Sequence, residues 1–479
     1  MAPPVMPTRI LLVGGGGREH ALAWRLAHEP GINLIVVAPG SDAIAAEPWV
    51  RRFAGIDPLD GAALVELARS EAVELAVVGP EAPLAAGVAD ALVAAGVPTF
   101  GPTRAAARIE SSKAFCRDVA EAAGVRMARG RAFATLAPAL EFADALAARG
   151  GGVVVKADGL AAGKGVTVCD SGWDAEAALR AVFSEPAGAQ AAARSAAGPR
   201  SVGVPTPRVV VEERLVGREA SLVALAAGTD AYVLPAARDH KRIGDGDTGP
   251  NTGGMGACSP LPDLPDDVAA ELVGRVHRPI LAELARRGTP FTGALYAGLM
   301  LTPGGPVLLE CNARFGDPET QAVLPRLGIP LGPLLLAAAR GRLADAVRSY
   351  GIDGPVLPAT RDAAVAIVLA SAGYPAVPRT GVPIDGLAEA AVDGVLVFHA
   401  GTSLGDDGRY RTAGGRVLSV VGRGPDLASA RVAAEAAAGR IRFEGLQRRH
   451  DIGAIEAAEE AEAPEPAGGP ASARVGAAG

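Results

Sequence analysis

The chain has few aromatic residues, few cysteines and no excess of positive charge. Phe, Trp and Tyr make up 4% of its 479 residues, so its cores must be built from Val, Leu, Ile and Ala. The four cysteines, Cys116, Cys169, Cys258 and Cys311, stand far apart in sequence, and no pair has the spacing of a metal clip or redox dithiol. That reads as reduced thiols in a cytoplasmic protein. A net charge of -7 argues against the basic face of a nucleic-acid binder. The longest uncharged run, Thr289 to Leu309, is broken by Pro303, Gly304 and Gly305, which makes it a poor membrane span. The opening MAPPVMPTR has no basic segment followed by an apolar one, so it does not read as a secretory signal. The expected partners are therefore small molecules, with no nucleic acid and no membrane.

What is present is an alternation of apolar runs and helix-like segments. RILLVG, NLIVVAPG, LAVVGP and VPTFGP read as strands ending in turns, with helical stretches between them, as in a parallel α/β sheet over residues 8–108. From Ser111 the texture changes. SSKAF opens a helix with a serine cap, and GGVVVKADGLAAGKGVTVCD reads as strand, glycine-rich loop, strand. Residues 186–207 are small, proline-rich and aperiodic, the expected signature of a mobile surface insertion. A second unit is expected over 109–332, with a lid at about 130–208, and a small mixed-sheet unit over 333–453. The tail 454–479 has too little bulky apolar surface to fold and is expected to be disordered.

VGGGGREH, residues 13–20, places backbone N–H groups at a helix start, a site suited to an anion. It fails the dinucleotide fingerprint, because Glu19 or His20 falls where the third glycine is required. A nicotinamide oxidoreductase is thereby disfavoured. GPEAPL, with Gly79, Pro80 and Glu81, would emerge at the same carboxyl edge of the sheet; a solvated turn carboxylate is an equal alternative there. Lys156 on its strand, with Gly163, Lys164 and Gly165 in the following loop, offers lysines and amides to a polyphosphate, but without Walker A spacing. Lys113 is a further cation. VVVEERL is ambiguous alone: Glu212, Glu213 and Leu215 are either an adenine edge or an ordinary strand end, and Glu219 is a candidate ribose ligand. LLECNARFGDPETQ is the strongest local signal. Alternation puts Glu310 and Asn312 on one strand face, two hard oxygen donors suited to Mg²⁺, with Arg314 further along to grip a carboxylate or phosphoryl group.

In their order, GGGGREHALAW, GPEAPL, SSKAF, VVVKADGLAAGKGV, DHKRIGDGDTGPNTGGMGACSP, LYAGLM and RFGDPETQ resemble the phosphoribosylamine–glycine ligase (glycinamide ribonucleotide synthetase) family of the ATP-grasp superfamily. The resemblance implies an α/β and α+β multidomain protein: a pre-ATP-grasp domain, an ATP-grasp domain with a mobile lid, and a small C-terminal mixed-sheet domain. It implies ATP-dependent ligation of glycine to 5-phosphoribosylamine through glycyl phosphate, in purine biosynthesis, with Mg²⁺ or Mn²⁺, and it leans toward a monomer.

By the same resemblance, Lys113, Lys156 and the loop at Gly163 to Gly165 hold ATP phosphates, Glu212 to Leu215 the adenine, and Glu219 the ribose. Glu310 and Asn312 match the metal ligands, and Arg314 the residue for glycine and its acyl phosphate. Arg314, Lys241 and Asp239 are the expected catalytic residues, and Asp239 and Lys241, with Asp245, Asn251, Thr252, Gly253 and Asp317, are expected on the acceptor side. Gly16, Gly17 and Arg18 are expected at the sugar phosphate, with Glu19, Gly79, Pro80 and Glu81 near the sugar. Arg218 and Cys258 depart from the family, which commonly has an acid and an aromatic there. Two rivals stand beside this reading: an ATP-grasp carboxylate–amine ligase with a different acceptor, and an ATP-binding regulator that has lost catalysis.

Overall fold

The computed structural model describes residues 4–160, 165–184 and 209–462. Gly163, Lys164, the expected insertion at 186–207 and the end of the tail lie outside these residues.

Strand Arg9–Gly14 is central to a five-stranded parallel sheet in the order Val50–Arg52, Leu34–Pro39, Arg9–Gly14, Leu75–Val78, Thr99–Phe100. Ile10, Leu11, Leu12 and Val13 have no exposure at all, as expected of a parallel strand covered on both faces. The next strand in sequence lies on one side of Arg9–Gly14 and Leu75–Val78 on the other, so the strand order reverses there. Such a switch point opens a crevice at the carboxyl ends of the strands. Gly14 and Gly79 both emerge into it, with the Gly79 amide donating to the Val13 carbonyl at 3.0 Å.

Two antiparallel four-stranded sheets follow. One has the order Gly130–Phe133, Val209–Glu213, Val153–Ala157, Val166–Cys169, and helices Leu136–Ala147 and Gly172–Ser184 pack on it. Its core, which includes Phe133, Leu146, Val155 and Leu179, is separate from the rest of the interior. The other has the order Asp230–Val233, Arg218–Ala227, Thr292–Thr302, Gly305–Asn312. Thr302 pairs with Gly305 across the turn expected from Pro-Gly-Gly.

The last sheet joins distant parts of the chain. Arg238–Asp239 and Gly256–Ser259 pair in sequence with Ala363–Ala370, Arg416–Gly424 and Val395–His399. The final strands are therefore built onto two strands that lie more than a hundred residues earlier. The chain does not become unstructured at residue 454: Ala454–Glu462 is a helix. Composition failed there because this helix is held by charge as well as by apolar contact. Glu456 is buried, and its Oε1 lies 2.8 Å from both Arg218 Nη2 and Arg238 Nη1. Arg218 is thus an anchor for this helix.

Candidate active site

A cleft of about 760 Å³ opens between the two antiparallel sheets and is closed at its far end by the parallel sheet and the C-terminal strands. Most of the residues singled out from sequence line it: Arg18, Pro80, Glu81, Lys113, Lys156, Gly165, Glu212, Glu213, Leu215, Glu219, Asp239, Lys241, Asn251, Thr252, Gly253, Glu310, Asn312, Arg314 and Asp317.

At one end, helix Lys113–Ala122 starts at Ser112, whose hydroxyl accepts from the Phe115 amide. The Asp158 carboxylate accepts from the Ala114 amide and the Ser112 hydroxyl, tying this helix start to the glycine-rich loop. Lys113 Nζ donates to the Gly159 carbonyl at 2.7 Å. Lys156 Nζ bridges the sheets, donating to the Leu309 carbonyl at 2.9 Å and lying 2.7 Å from Glu212. Arg117 holds the other Glu212 oxygen at 2.9 Å. The buried Glu212 carboxylate is thus held on both oxygens by cations.

On the facing sheet, Glu310 and Asn312 share one strand face, as alternation requires, with Cys311 buried behind them. Lys241 Nζ lies 2.7 Å from Glu219 and 3.8 Å from Glu310. Burial alone would raise the Glu310 pKa; Lys241, Lys156, Lys113 and Arg314 outweigh it and hold the carboxyl below its ordinary value. An ionised carboxylate beside an amide is a hard oxygen pair, the donor chemistry Mg²⁺ takes.

The strand ends at Asn312, and the backbone turns so that Arg314 enters a nest of acids. Its Nε lies 3.2 Å from Glu110 and 3.7 Å from Glu81. Burial disfavours the charge on Arg314, but Glu110, Glu81, Glu319 and Asp317 more than restore it. Burial pushes the Glu110 carboxyl up despite Arg314. Glu110 also accepts the Ala313 amide at 2.8 Å, which fixes the turn.

Beyond Arg314 lies a second acidic layer. Asp239 is pushed well above the carboxylate range by burial and by Glu319, and its Oδ1 has no hydrogen-bond partner. Asp317 pairs with Arg416 at 2.9 Å and accepts from Gln321 at 2.8 Å. Tyr374 accepts the Gly253 amide at 2.8 Å.

Some expected residues are elsewhere. Glu19 lies beneath the glycine loop, where its carboxylate accepts from the Gly16 amide at 2.8 Å and from Arg18. A side chain at Gly79 would place a carbon 2.3 Å from it, so both glycines and Glu19 serve one tight fit. Gly17 is packed under Gln321 and Ala400. Asp245 is on an exposed loop and accepts the His450 amide at 2.7 Å. Of VGGGGREH, only the Arg18 side chain reaches the cleft.

Conversely, Glu110, Tyr296, Glu319, Tyr374 and Arg416 line it without having been expected. Glu319 was legible in principle, inside RFGDPETQ. Arg416 and Tyr374 carried no motif and sit in the part of the chain expected to be separate.

Two antiparallel sheets gripping a lysine-lined cleft, beside a parallel α/β domain, define an ATP-grasp protein. The fold is shared with a biotin carboxylase domain of a Hydrogenobacter thermophilus 2-oxoglutarate carboxylase solved with MgADP, at a TM-score of 0.66 and 15% identity over 93% of this chain and 92% of that one.

The chain belongs to the phosphoribosylglycinamide synthetase family, whose N domain matches residues 8–110, ATP-grasp (A) domain 111–320 and C domain 364–455. It is 48% identical to the phosphoribosylamine–glycine ligase of Streptomyces coelicolor over 93% of this chain and 99% of that protein, and 42% identical to that of Agrobacterium fabrum. A crystal structure of phosphoribosylamine–glycine ligase from Thermotoga maritima superposes with a TM-score of 0.72 at 30% identity, covering 92% of this chain and 99% of that one.

Proposed function

We propose that the chain joins glycine to 5-phosphoribosylamine with ATP, through glycyl phosphate, giving glycinamide ribonucleotide, ADP and phosphate, a step of purine biosynthesis. The observation that carries this reading is Arg314, half-buried between Glu110 and Glu81 and next to the Glu310–Asn312 pair.

A carboxylate is a poor electrophile until it has a leaving group, and phosphoryl transfer needs positioning and charge neutralisation more than a protein nucleophile. Lys113 and Lys156 face the ATP phosphates, and the residues 212–215 backbone faces the base. Arg314 holds the glycine carboxylate and the acyl phosphate made from it. Glu310 and Asn312 would hold Mg²⁺, with Mn²⁺ as a substitute, and such an ion neutralises phosphate charge during transfer. The amine of phosphoribosylamine approaches from the Arg18, Glu81 and Asp317 side. Asp239, with its unpartnered Oδ1, stands near to accept a hydrogen bond from the amine. Closure of the smaller antiparallel sheet over the cleft would shield the acyl phosphate from water. We place the enzyme in the cytoplasm as a monomer, where the buried, free thiols stay reduced.

The deciding experiment is ATP turnover with glycine and phosphoribosylamine, each omitted in turn, with the product identified by mass. Turnover that needs both, and yields glycinamide ribonucleotide, supports the assignment. Turnover that ignores glycine and follows another acid overturns it.

A further inference from the structure

His240 lies between two residues assigned to the cleft, Asp239 and Lys241, but side-chain alternation turns it to the opposite side. There it meets Cys258 from strand Gly256–Ser259 and Glu456 from the terminal helix. One ligand atom from each of the three lies within 4.8 Å of the others, and all three residues are buried. His240 is 9% exposed, Glu456 is 1% exposed and Cys258 is wholly enclosed. Two of the polar atoms there lack any hydrogen-bond partner: His240 Nε2 and Glu456 Oε2. Buried polar atoms are ordinarily satisfied, and two orphans converging on a thiol need an explanation.

The charge around the cluster is consistent with one. Arg218, Arg238 and Arg449 are the nearby cations; Asp263, Glu456 and Glu459 are paired to the first two, and Asp247 and Asp451 to Arg449. Arg218 and Arg238 both take Glu456 by Oε1, which leaves Oε2 turned away from them. Five carboxylates against three guanidinium groups leave two negative charges, and a thiolate at Cys258 would make three. An imidazole, a thiolate and a carboxylate form the mixed donor set that borderline divalent ions such as Zn²⁺ take, usually with a water as fourth ligand.

We propose that His240, Cys258 and Glu456 form a structural site for a divalent transition-metal ion, of which Zn²⁺ is the best match, clamping the terminal helix to the sheet behind the active cleft. On binding, the metal–sulfur bond forms as the Cys258 thiol gives its proton to solvent, so the ion replaces that proton with no redox change. The site uses no residue placed in the ligation machinery and does not rest on the proposed activity.

The test uses the full chain, purified, stripped with a chelator, then titrated with Co²⁺ and, separately, Zn²⁺. Expected are one tightly held ion per chain and a thiolate-to-cobalt absorption band. Zn²⁺ should also raise the unfolding midpoint in a concentration-dependent way. Cys258→Ser should lose the band and most of the metal-dependent shift while retaining ATP turnover. His240→Ala should lose the bound ion as well. Cys258→Ala, a small apolar replacement, serves if the serine variant does not fold. Absence of a thiolate band in wild-type protein, or equal metal uptake by wild type and the Cys258 variants, would overturn the site and leave a buried cluster that binds no metal.

Discussion

Arg314 carries its charge on a largely covered side chain, 19% exposed, at the wall of the cleft, and its value depends on what balances it. Glu110 and Glu81 do so without the bidentate geometry that would occupy the whole guanidinium, so it is held in place and still open to an incoming carboxylate. Arg314→Ala should lower kcat about 10²–10³-fold, the scale for losing a group that stabilises developing charge. ATP affinity, measured by equilibrium titration, should change little. Arg18 makes the complementary case. It is the one side chain of its glycine loop that enters the cleft, so Arg18→Ala should raise the KM for phosphoribosylamine about tenfold or more. The KM for ATP should stay nearly constant; a mainly ATP-directed defect would remove Arg18 from the sugar-phosphate side. Histidines supply a third residue-scale prediction. Burial lowers His277 from 6.5 to about 4 and His399, also opposed by His20, from 6.5 to about 3. Both fold as neutral rings, so the stability they protect is complete above pH 6.5 and is lost as pH falls from there toward their folded values. His277→Gln keeps a donor for the Leu222 carbonyl but does not titrate. It should reduce the stability lost between pH 7 and 5 by roughly 2 kcal/mol, read from urea midpoints at the two pH values.

At the scale of elements, the terminal helix shows what local reading misses. Its sequence is acidic and rich in alanine, and nothing nearby in the chain explains its order. Its partners, Arg218 and Arg238, lie more than two hundred residues earlier. Ending the chain after Gly453 would leave these arginines without Glu456. Breaking buried ion pairs in this way costs on the order of 3–5 kcal/mol. Chemical denaturation should show a loss on that scale, whereas ending the chain after Glu462 should show little. The converse holds for elements with strong local pattern. The parallel sheet was legible because its strands are continuous apolar runs between turn residues. Glu310 and Asn312 were legible because alternation on a strand is geometric. Where long-range packing decides, the sequence was silent: Glu19 looked like a ligand in a glycine loop and is instead the loop's internal prop. Arg416, with no motif around it, reaches Asp317.

The whole molecule is less divisible than its family domains suggest. Arg416 and Tyr374 from the last third of the chain close a cleft otherwise made by the first two, and His399 donates its amide to His20 Nδ1 at 2.8 Å across the same boundary. A fragment ending at residue 332 contains nearly every residue assigned to ATP. It should nonetheless have no ligase activity and unfold with a broad transition, measurable by circular dichroism beside the full chain. The pairing of Gly256–Ser259 with Ala363–Ala370 also sets a timetable for synthesis. A ribosome that has completed the nucleotide-binding strands still leaves this strand, buried in the finished protein, with one edge unpaired, the kind of edge that recruits other chains. It is covered only when residues beyond 370 have emerged, so the nascent enzyme passes through an interval of exposure to neighbouring chains and chaperones.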